Sequence, residues 1–150
     1  MGYLALILGI FGLELGVKDR IEKTKKEGTY EKKLGGLVST TRYHNRGAVL
    51  NVGQAKQKAV AALSVVLTAL LTIFFIITLG HAGNGLLKTG LSLLLGGAYS
   101  NTYDRLTRKH VVDYICFNVP WKWLKNIVFN IGDFCIIIGA MLCVIGMEKE

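Results

Sequence analysis

The sequence predicts an all-α membrane protein with four transmembrane helices and a small β-element beside the membrane. Three observations lead to this prediction. Of the 150 residues, 51% are hydrophobic and only 19% are charged, which is too apolar for an ordinary soluble domain. Four apolar stretches approach the roughly 20 residues that a membrane helix needs. The basic residues are concentrated in the two long segments between these stretches.

The four predicted spans form a single domain over residues 1–150. The first span contains Glu14, but it lacks the basic start and the cleavage site of a signal peptide, so we expect it to be retained. The third span contains Lys88, and both of these spans should turn their polar faces toward other helices. The predicted spans are residues 2–17, 59–80, 85–103 and 127–146, and the predicted loops are residues 18–58 and 104–126.

The first long loop changes character near Leu37. The segment LVSTTRYHNRGAVLNV that follows has β-branched and aromatic residues in partial alternation, which predicts short strands. The first loop has eleven basic residues against four acids, and the second has five against two. Because no soluble part is large enough to present these charges to nucleic acid, we expect anionic lipid headgroups as the partner. Trp121 and Trp123 match the aromatic belt of membrane interfaces.

Neither the cysteines nor the histidines are spaced like metal ligands. The cysteines form no paired motif, and the histidines do not cluster in the sequence. We therefore predict no metal and no cofactor. The residues concerned are Cys116, Cys135, Cys143, His44, His81 and His110.

Polar residues recur at helical spacing near the ends of the last two spans. In GGAYSNTYDR, Asn101 precedes Asp104 by three residues and Arg105 by four, so the three can share one helical face. In FNIGD, Asn130 precedes Asp133 by three residues. Polar groups at a membrane boundary cost free energy unless they are paired or used. The two motifs therefore mark a candidate site.

Three aspartates near these motifs have to be weighed between an ordinary structural role and a function. Asp113 alone would be an ordinary loop acid, and Asp104 beside Arg105 would more often form a structural ion pair. Asp133 differs because FCIIIGAMLCVIG follows it, and an acid in an apolar zone indicates a functional site. If Asp113 and Asp133 meet, one keeps its proton near neutral pH. Such a pair can hydrolyse an amide, since the ionised acid activates water and its partner supplies a proton.

Four motifs together resemble the lipoprotein signal peptidase family (signal peptidase II). In chain order they are ELGVK at residues 14–18, HNRGAVL at 44–50, GGAYSNTYDR with VVDY at 96–114, and FNIGD at 129–133. The resemblance implies four transmembrane helices, a small extracytoplasmic β-cradle and an aspartyl endopeptidase. It further implies that the enzyme removes the signal peptide from diacylglyceryl-modified bacterial prolipoproteins, before the lipidated cysteine, without a metal or cofactor.

The resemblance also implies roles for individual residues. Asp113 and Asp133 become the catalytic pair. The implied substrate-binding residues are Glu14, Lys18, Asn45, Gly47, Asn101, Arg105 and Asn130. The sequence departs from the family pattern at Leu15, Ser100 and Gly132, and at Val49–Leu50. We expect a monomer in the bacterial plasma membrane, whose partners are prolipoproteins and phospholipids.

Two points remain open at the level of sequence. The chain could be a non-catalytic paralogue or helper subunit that binds lipidated peptides, with its acids merely paired to Arg105 and Lys18. The basic loops, taken alone, favour a cytoplasmic site, whereas the resemblance implies an extracytoplasmic one. We expect the active site on the extracytoplasmic face of a multi-pass protein, because the substrate bond would be located there.

Overall fold

A computed structural model of the chain describes residues 2–47 and 53–148. The Val49–Leu50 departure lies outside these residues. Four long helices and one short helix form most of the described structure. They are α1 (Gly2–Thr24), α2 (Gln57–Leu79), α3 (Gly85–Thr107), the short α4 (Lys122–Lys125) and α5 (Ile131–Met147).

The predicted all-α architecture with four transmembrane helices is wrong. Within residues 2–47 and 53–148, only α2 has the length and apolarity of a membrane span, with a mean hydropathy of 2.8. Helix α5 is apolar but has only 17 residues. Helix α1 continues past Glu14 and Lys18 into a charged segment, and α3 is rich in glycine and polar residues. Apolar stretches alone do not identify spans here, because these helices carry their polar residues into the protein interior.

An antiparallel sheet of four strands also contradicts the all-α prediction. The strand expected after Leu37 is present as β2, but β3 lies within the predicted loop 104–126. VVDYICF forms β3 because its β-branched and aromatic residues favour a pleated, half-buried surface. The strands, in their order across the sheet, are β1 (Glu31–Lys33), β2 (Val38–Asn45), β3 (Val111–Phe117) and β4 (Val128–Phe129).

Three helix boundaries differ from those predicted by four residues or more, including the end of α3, which lies at Thr107 rather than at 103. Helix α1 extends to Thr24 rather than ending at residue 17, because polar residues without proline continue the helix beyond the apolar stretch. Helix α5 begins at Ile131 rather than at 127, because residues just before it form α4 and β4. Apolarity marks where lipid could surround a helix, whereas capping and backbone hydrogen bonds decide where the helix ends.

Helices α3 and α5 approach each other through glycines. A Cβ atom added to Gly97 would lie 2.2 Å from the carbonyl oxygen of Gly132, and one added to Gly90 would lie 2.7 Å from that of Gly139. On its other side, α3 packs Gly96 against Ile10 of α1. Small residues allow such close packing of helix backbones. Gly96 and Gly97 therefore allow α1 and α5 to pack closely against two sides of α3.

Gly97→Ala is expected to destabilise the protein by about 1–3 kcal/mol, the usual cost of overpacking a core. Its methyl group would overlap the backbone of Gly132, which cannot move aside as a flexible side chain could. Thermal unfolding in detergent would measure the loss. Gly9→Ala in α1 is the matched control, because a Cβ there meets nothing within 4 Å. Equal melting temperatures for the two variants would contradict the prediction.

Candidate functional site

The start of α5 presents Asp133 through a capping box. The side-chain oxygen of Asn130 accepts a hydrogen bond from the backbone nitrogen of Asp133 at 2.9 Å. In return, Oδ2 of Asp133 accepts one from the backbone nitrogen of Asn130 at 3.0 Å. This reciprocal arrangement satisfies two backbone donors at the helix start. The carboxylate of Asp133 is therefore fixed by the same bonds that begin the helix.

Strand β3 carries Asp113, which is only 2% exposed. In the sheet it lies opposite Tyr43, just beyond an irregularity of β2 between Thr40 and Tyr43. Its two carboxylate oxygens accept hydrogen bonds from two different amides, Nδ2 of Asn130 at 2.7 Å and Nδ2 of Asn45 at 3.1 Å. The carboxylate is therefore held from α5 and from the neighbouring strand at once.

Asn101 of α3 links the two acidic groups. Its Nδ2 donates to Oδ1 of Asp133 at 2.9 Å, while its Oδ1 accepts from Nδ2 of Asn130 at 3.2 Å. Because Asn130 also donates to Asp113, a chain of hydrogen bonds runs from one aspartate to the other. The structure thus brings together the residues of three separate motifs, as the sequence predicted for Asn101 and Asn130.

The surroundings of Asp113 favour its protonated form. Burial, together with the negative charge of Asp133, raises the pKa of Asp113 to about 8, although the amides of Asn45 and Asn130 favour the ionised form. Two carboxyl groups in such a site titrate as a pair. Near neutral pH the pair can therefore hold one proton, which is the state required for combined acid and base chemistry.

A cavity of about 400 Å³ opens onto both aspartates. Its polar wall includes five residues that the sequence predicted as site residues, Asn45, Asn101, Arg105, Asp113 and Asp133, and three hydroxyl residues that it did not predict, Ser64, Thr68 and Thr102. The apolar part of the wall comes largely from α2, α3, β4 and α5. It includes Leu67, Leu71, Leu94, Phe129, Ile136 and Ile137.

Arg105 supplies positive charge to the cavity wall. Its Nη2 donates to the carbonyl oxygen of Gly47 at 3.1 Å, and its Nη1 is 3.5 Å from the carbonyl oxygen of Asn101. Its Nε is buried and has no hydrogen-bond partner among the described residues. Gly47, another predicted site residue, therefore contributes a backbone carbonyl that orients the guanidinium.

The predicted substrate-binding residues Glu14 and Lys18 lie behind the cavity and do not line it. Both are fully buried, and Nζ of Lys18 is 3.2 Å from Oε2 of Glu14 and 3.0 Å from Oδ2 of Asp104. Lys18 also donates to Oδ1 of Asn101 at 2.9 Å and to the hydroxyl of Ser100 at 2.8 Å. Ser100, a departure from the family pattern, therefore has a hydrogen-bonding role beneath the site.

The structure also corrects the ion pair proposed for Asp104. Its carboxylate pairs with Lys18 and with Nε of Arg108 at 3.0 Å, instead of with Arg105. The alternative in which Lys18 neutralises the central aspartates is likewise not observed, since its ion-pair partners are Glu14 and Asp104. Asp113 and Asp133 are held by neutral amides.

Tyr114 belongs to the site's support but was not predicted from the sequence. Its hydroxyl donates to Oε1 of Glu14 at 2.5 Å and accepts from the backbone nitrogen of Ile131 at 3.2 Å. Strand alternation could have revealed this role, because the neighbour of Asp113 must face the opposite side of the sheet. Tyr114 therefore joins the buried ion pair of α1 to the first turn of α5.

The chain matches one family model over nearly its whole length. The family described as Signal peptidase (SPase) II matches residues 6–148. A lipoprotein signal peptidase of Caldicellulosiruptor bescii is 31% identical over 151 residues, an alignment that covers 100% of this chain and 93% of the relative. One from Ectopseudomonas mendocina is 32% identical over 143 residues, covering 89% of this chain and 83% of the relative.

The fold is also similar to a solved structure described as a bacterial membrane enzyme. The TM-score is 0.84 and the sequence identity is 23%, with coverage of 99% of this chain and 88% of that one. The sequence identity is low, so this likeness concerns the fold. It extends to the sheet as well as to the helices, because it covers nearly the whole chain.

Proposed function

Because this chain belongs to the signal peptidase II family, we propose that it removes signal peptides from diacylglyceryl-modified prolipoproteins by aspartyl chemistry. Asp113 and Asp133 would be the catalytic pair, and cleavage would occur just before the lipidated cysteine. One observation carries the proposal: the two carboxylates face a single cavity and are linked through Asn101 and Asn130.

The chemistry follows from a carboxyl pair that shares one proton. The ionised carboxylate takes a proton from water as the water oxygen attacks the scissile carbonyl carbon. The protonated partner gives its proton to the developing oxyanion or, as the carbon–nitrogen bond breaks, to the leaving amine. The products are a signal peptide with a new carboxylate and a lipidated cysteine with a free amino group. The amides around the pair keep both carboxylates in place during these transfers.

The cavity wall supports a substrate that is partly peptide and partly lipid. Its polar residues surround the aspartates, while its apolar residues can contact a signal peptide or acyl chains. Arg105 would bind a carbonyl oxygen of the substrate near the cleaved bond, since its guanidinium has donors in a fixed fork.

Arg105→Lys is expected to slow cleavage at least about tenfold, which corresponds to about 1.4 kcal/mol of barrier. Lysine keeps the charge but loses the planar fork that contacts Gly47 and Asn101. Initial rates on a lipidated preprotein would measure the effect. Arg20→Lys, at an exposed position of α1, is the control and should cleave at the parent rate. Full activity in Arg105→Lys would remove Arg105 from the proposed site.

We further propose that the aspartates face the outside of the bacterial plasma membrane. The substrate bond would be there, and the basic surface around the sheet would rest on lipid headgroups. Helix α5 leads away from Asp133, and its 17 residues extend about 25 Å at 1.5 Å per residue, which is the lower limit for crossing a membrane. We place the C-terminus on the other side from the site as part of this proposal.

In a cysteine-free variant on intact cells, a cysteine at exposed Lys26 should react with a membrane-impermeant thiol reagent. A cysteine added after Glu150 should react only once the cells are permeabilised. This second variant, labelled after permeabilisation, controls for expression. Labelling of intact cells at the C-terminus alone would reverse the orientation and argue against the proposed substrate.

Incubation of the purified chain with a lipidated preprotein tests the proposed function directly. Mass spectrometry should find a product whose first residue is the lipidated cysteine. The same preprotein with serine in place of that cysteine cannot be lipidated and should remain intact. Binding of the lipidated preprotein without cleavage would favour the helper-subunit alternative.

A further inference from the structure

A second cluster of functional side chains lies away from the aspartates, where α1 meets the edge of the β2–β3 pair. Glu22 of α1, His44 of β2 and His110, just before β3, each offer one metal-binding atom, and these atoms all lie within 4.8 Å of one another. Nε2 of His44 is 2.7 Å from Oε1 of Glu22, and Nε2 of His110 is 3.5 Å from the same oxygen. The three residues are partly buried, so an ion could reach them.

The hydrogen bonding of this cluster is incomplete. Nε2 of His110 is buried and has no hydrogen-bond partner among the described residues. His44 has a carboxylate near each nitrogen, with Oε2 of Glu27 3.6 Å from its Nδ1. A neutral imidazole carries one proton and can donate to only one carboxylate. Oε1 of Glu22 lies within 3.5 Å of both Nε2 atoms, so the three atoms are placed to share one metal ion.

A metal ion fits this arrangement better than a second proton does. The imidazole rings of His44 and His110 lie with their centroids 3.9 Å apart, so charging both rings would place two like charges side by side, whereas one ion could be bound by both. One ion could accept lone pairs from both Nε2 atoms and from Oε1 of Glu22. Arg42 contacts the other carboxylate oxygen, Oε2, at 3.6 Å and leaves Oε1 directed at the imidazoles.

We propose that Glu22, His44 and His110 form a Zn²⁺ site. Two imidazoles and one carboxylate are a ligand set that zinc accepts, with water in the fourth position. Glu27 would hold Nδ1 of His44 from outside the ligand shell, as acids commonly do beside metal-bound histidine. The metal would connect α1 to both central strands. His44 directly precedes Asn45, whose side chain donates to Asp113. The ion would therefore also stabilise the end of β2 that positions Asp113.

Metal binding by the purified full-length protein tests the site. After treatment with a chelator and dialysis, the chain should take up about one Zn²⁺, and its melting temperature should rise by a few degrees. Mg²⁺ should have no such effect, because it prefers oxygen ligands in octahedral geometry. Co²⁺ in place of Zn²⁺ should give the visible absorption of a tetrahedral nitrogen and oxygen site. A thiolate charge-transfer band would instead assign the metal to the cysteines and overturn the proposal.

Variants locate the ion. His110→Gln and His44→Gln should each weaken Zn²⁺ binding by more than about a hundredfold, and Glu27→Gln by about tenfold, the lower end for outer-shell residues. His81→Gln is the matched control, since His81 is exposed and its imidazole contacts the carbonyl oxygen of Ile77, away from the cluster. Unchanged binding in both ligand variants, or no uptake by the parent chain, would overturn the proposal. The Co²⁺ spectrum of the parent decides the question even if a ligand variant fails to fold.

Discussion

Asp113→Asn and Asp133→Asn are each expected to abolish cleavage while leaving the protein folded. An amide can neither take a proton from water nor share one with its partner. The fold should persist because asparagine retains a side-chain oxygen. At position 133 this oxygen can still accept from the backbone nitrogen of Asn130, and at 113 it can still accept from Nδ2 of Asn130 or of Asn45.

Single-turnover cleavage of a lipidated preprotein, together with melting temperatures, would separate chemistry from folding. Asp19→Asn is the control, because Asp19 is an exposed acid that contacts Arg108 away from the cavity. It should cleave at the parent rate. A tenfold loss of rate corresponds to about 1.4 kcal/mol of activation barrier. If Asp113→Asn or Asp133→Asn cleaves within about tenfold of the parent rate, the two aspartates are not the catalytic pair.

Lys18→Met is expected to cost about 3–5 kcal/mol of folding free energy, the range found when one partner of a buried ion pair is removed. Lys18 is fully buried between the carboxylates of Glu14 and Asp104. Methionine fills a similar volume but leaves Glu14 without its cation, and Asp104 keeps only Arg108. Asn101 would also lose the hydrogen bond that orients its side chain toward Asp133.

Reversible unfolding in denaturant would measure this loss. The triple variant Lys18→Met, Glu14→Gln, Asp104→Asn is the informative comparison, since it removes the uncompensated charges together with the lysine. It should be more stable than Lys18→Met alone. If Lys18→Met unfolds at the parent's denaturant concentration, the buried charges do not support the fold in the way described.

The structure brings together the polar residues that the sequence grouped, whereas the predicted architecture was wrong. Helical spacing grouped Asn101 with Arg105 and Asn130 with Asp133, and polar residues are costly at a membrane boundary. The family resemblance paired Asp113 with Asp133. The predicted spans were wrong because apolarity does not separate a helix facing lipid from one packed around a buried lysine. The resemblance implied that Lys18 binds substrate, whereas it lies fully buried beneath the site.

Long-range pairing accounts for the rest of what the sequence did not predict. Strand β3 requires β2 as its partner, and the two are separated along the chain by α2 and α3. Until that pairing is known, VVDYICF cannot be distinguished from part of a loop. The same pairing places His44 near His110, so a cluster that depends on sheet register could not be found from sequence spacing.

The contact between Gly97 and Gly132 has a consequence for how this enzyme family can diversify. Gly97 lies one turn before Asn101, and Gly132 directly precedes Asp133, so two touching backbones set the separation of Asp133 from the amide that binds it. Neither backbone can adapt to a new substrate without moving the chemistry. Helix α2 has no such constraint: most of its residues are exposed, and it contributes Leu67 and Leu71 to the cavity wall. Selection for different preproteins can therefore act on α2 while the geometry of hydrolysis is inherited unchanged.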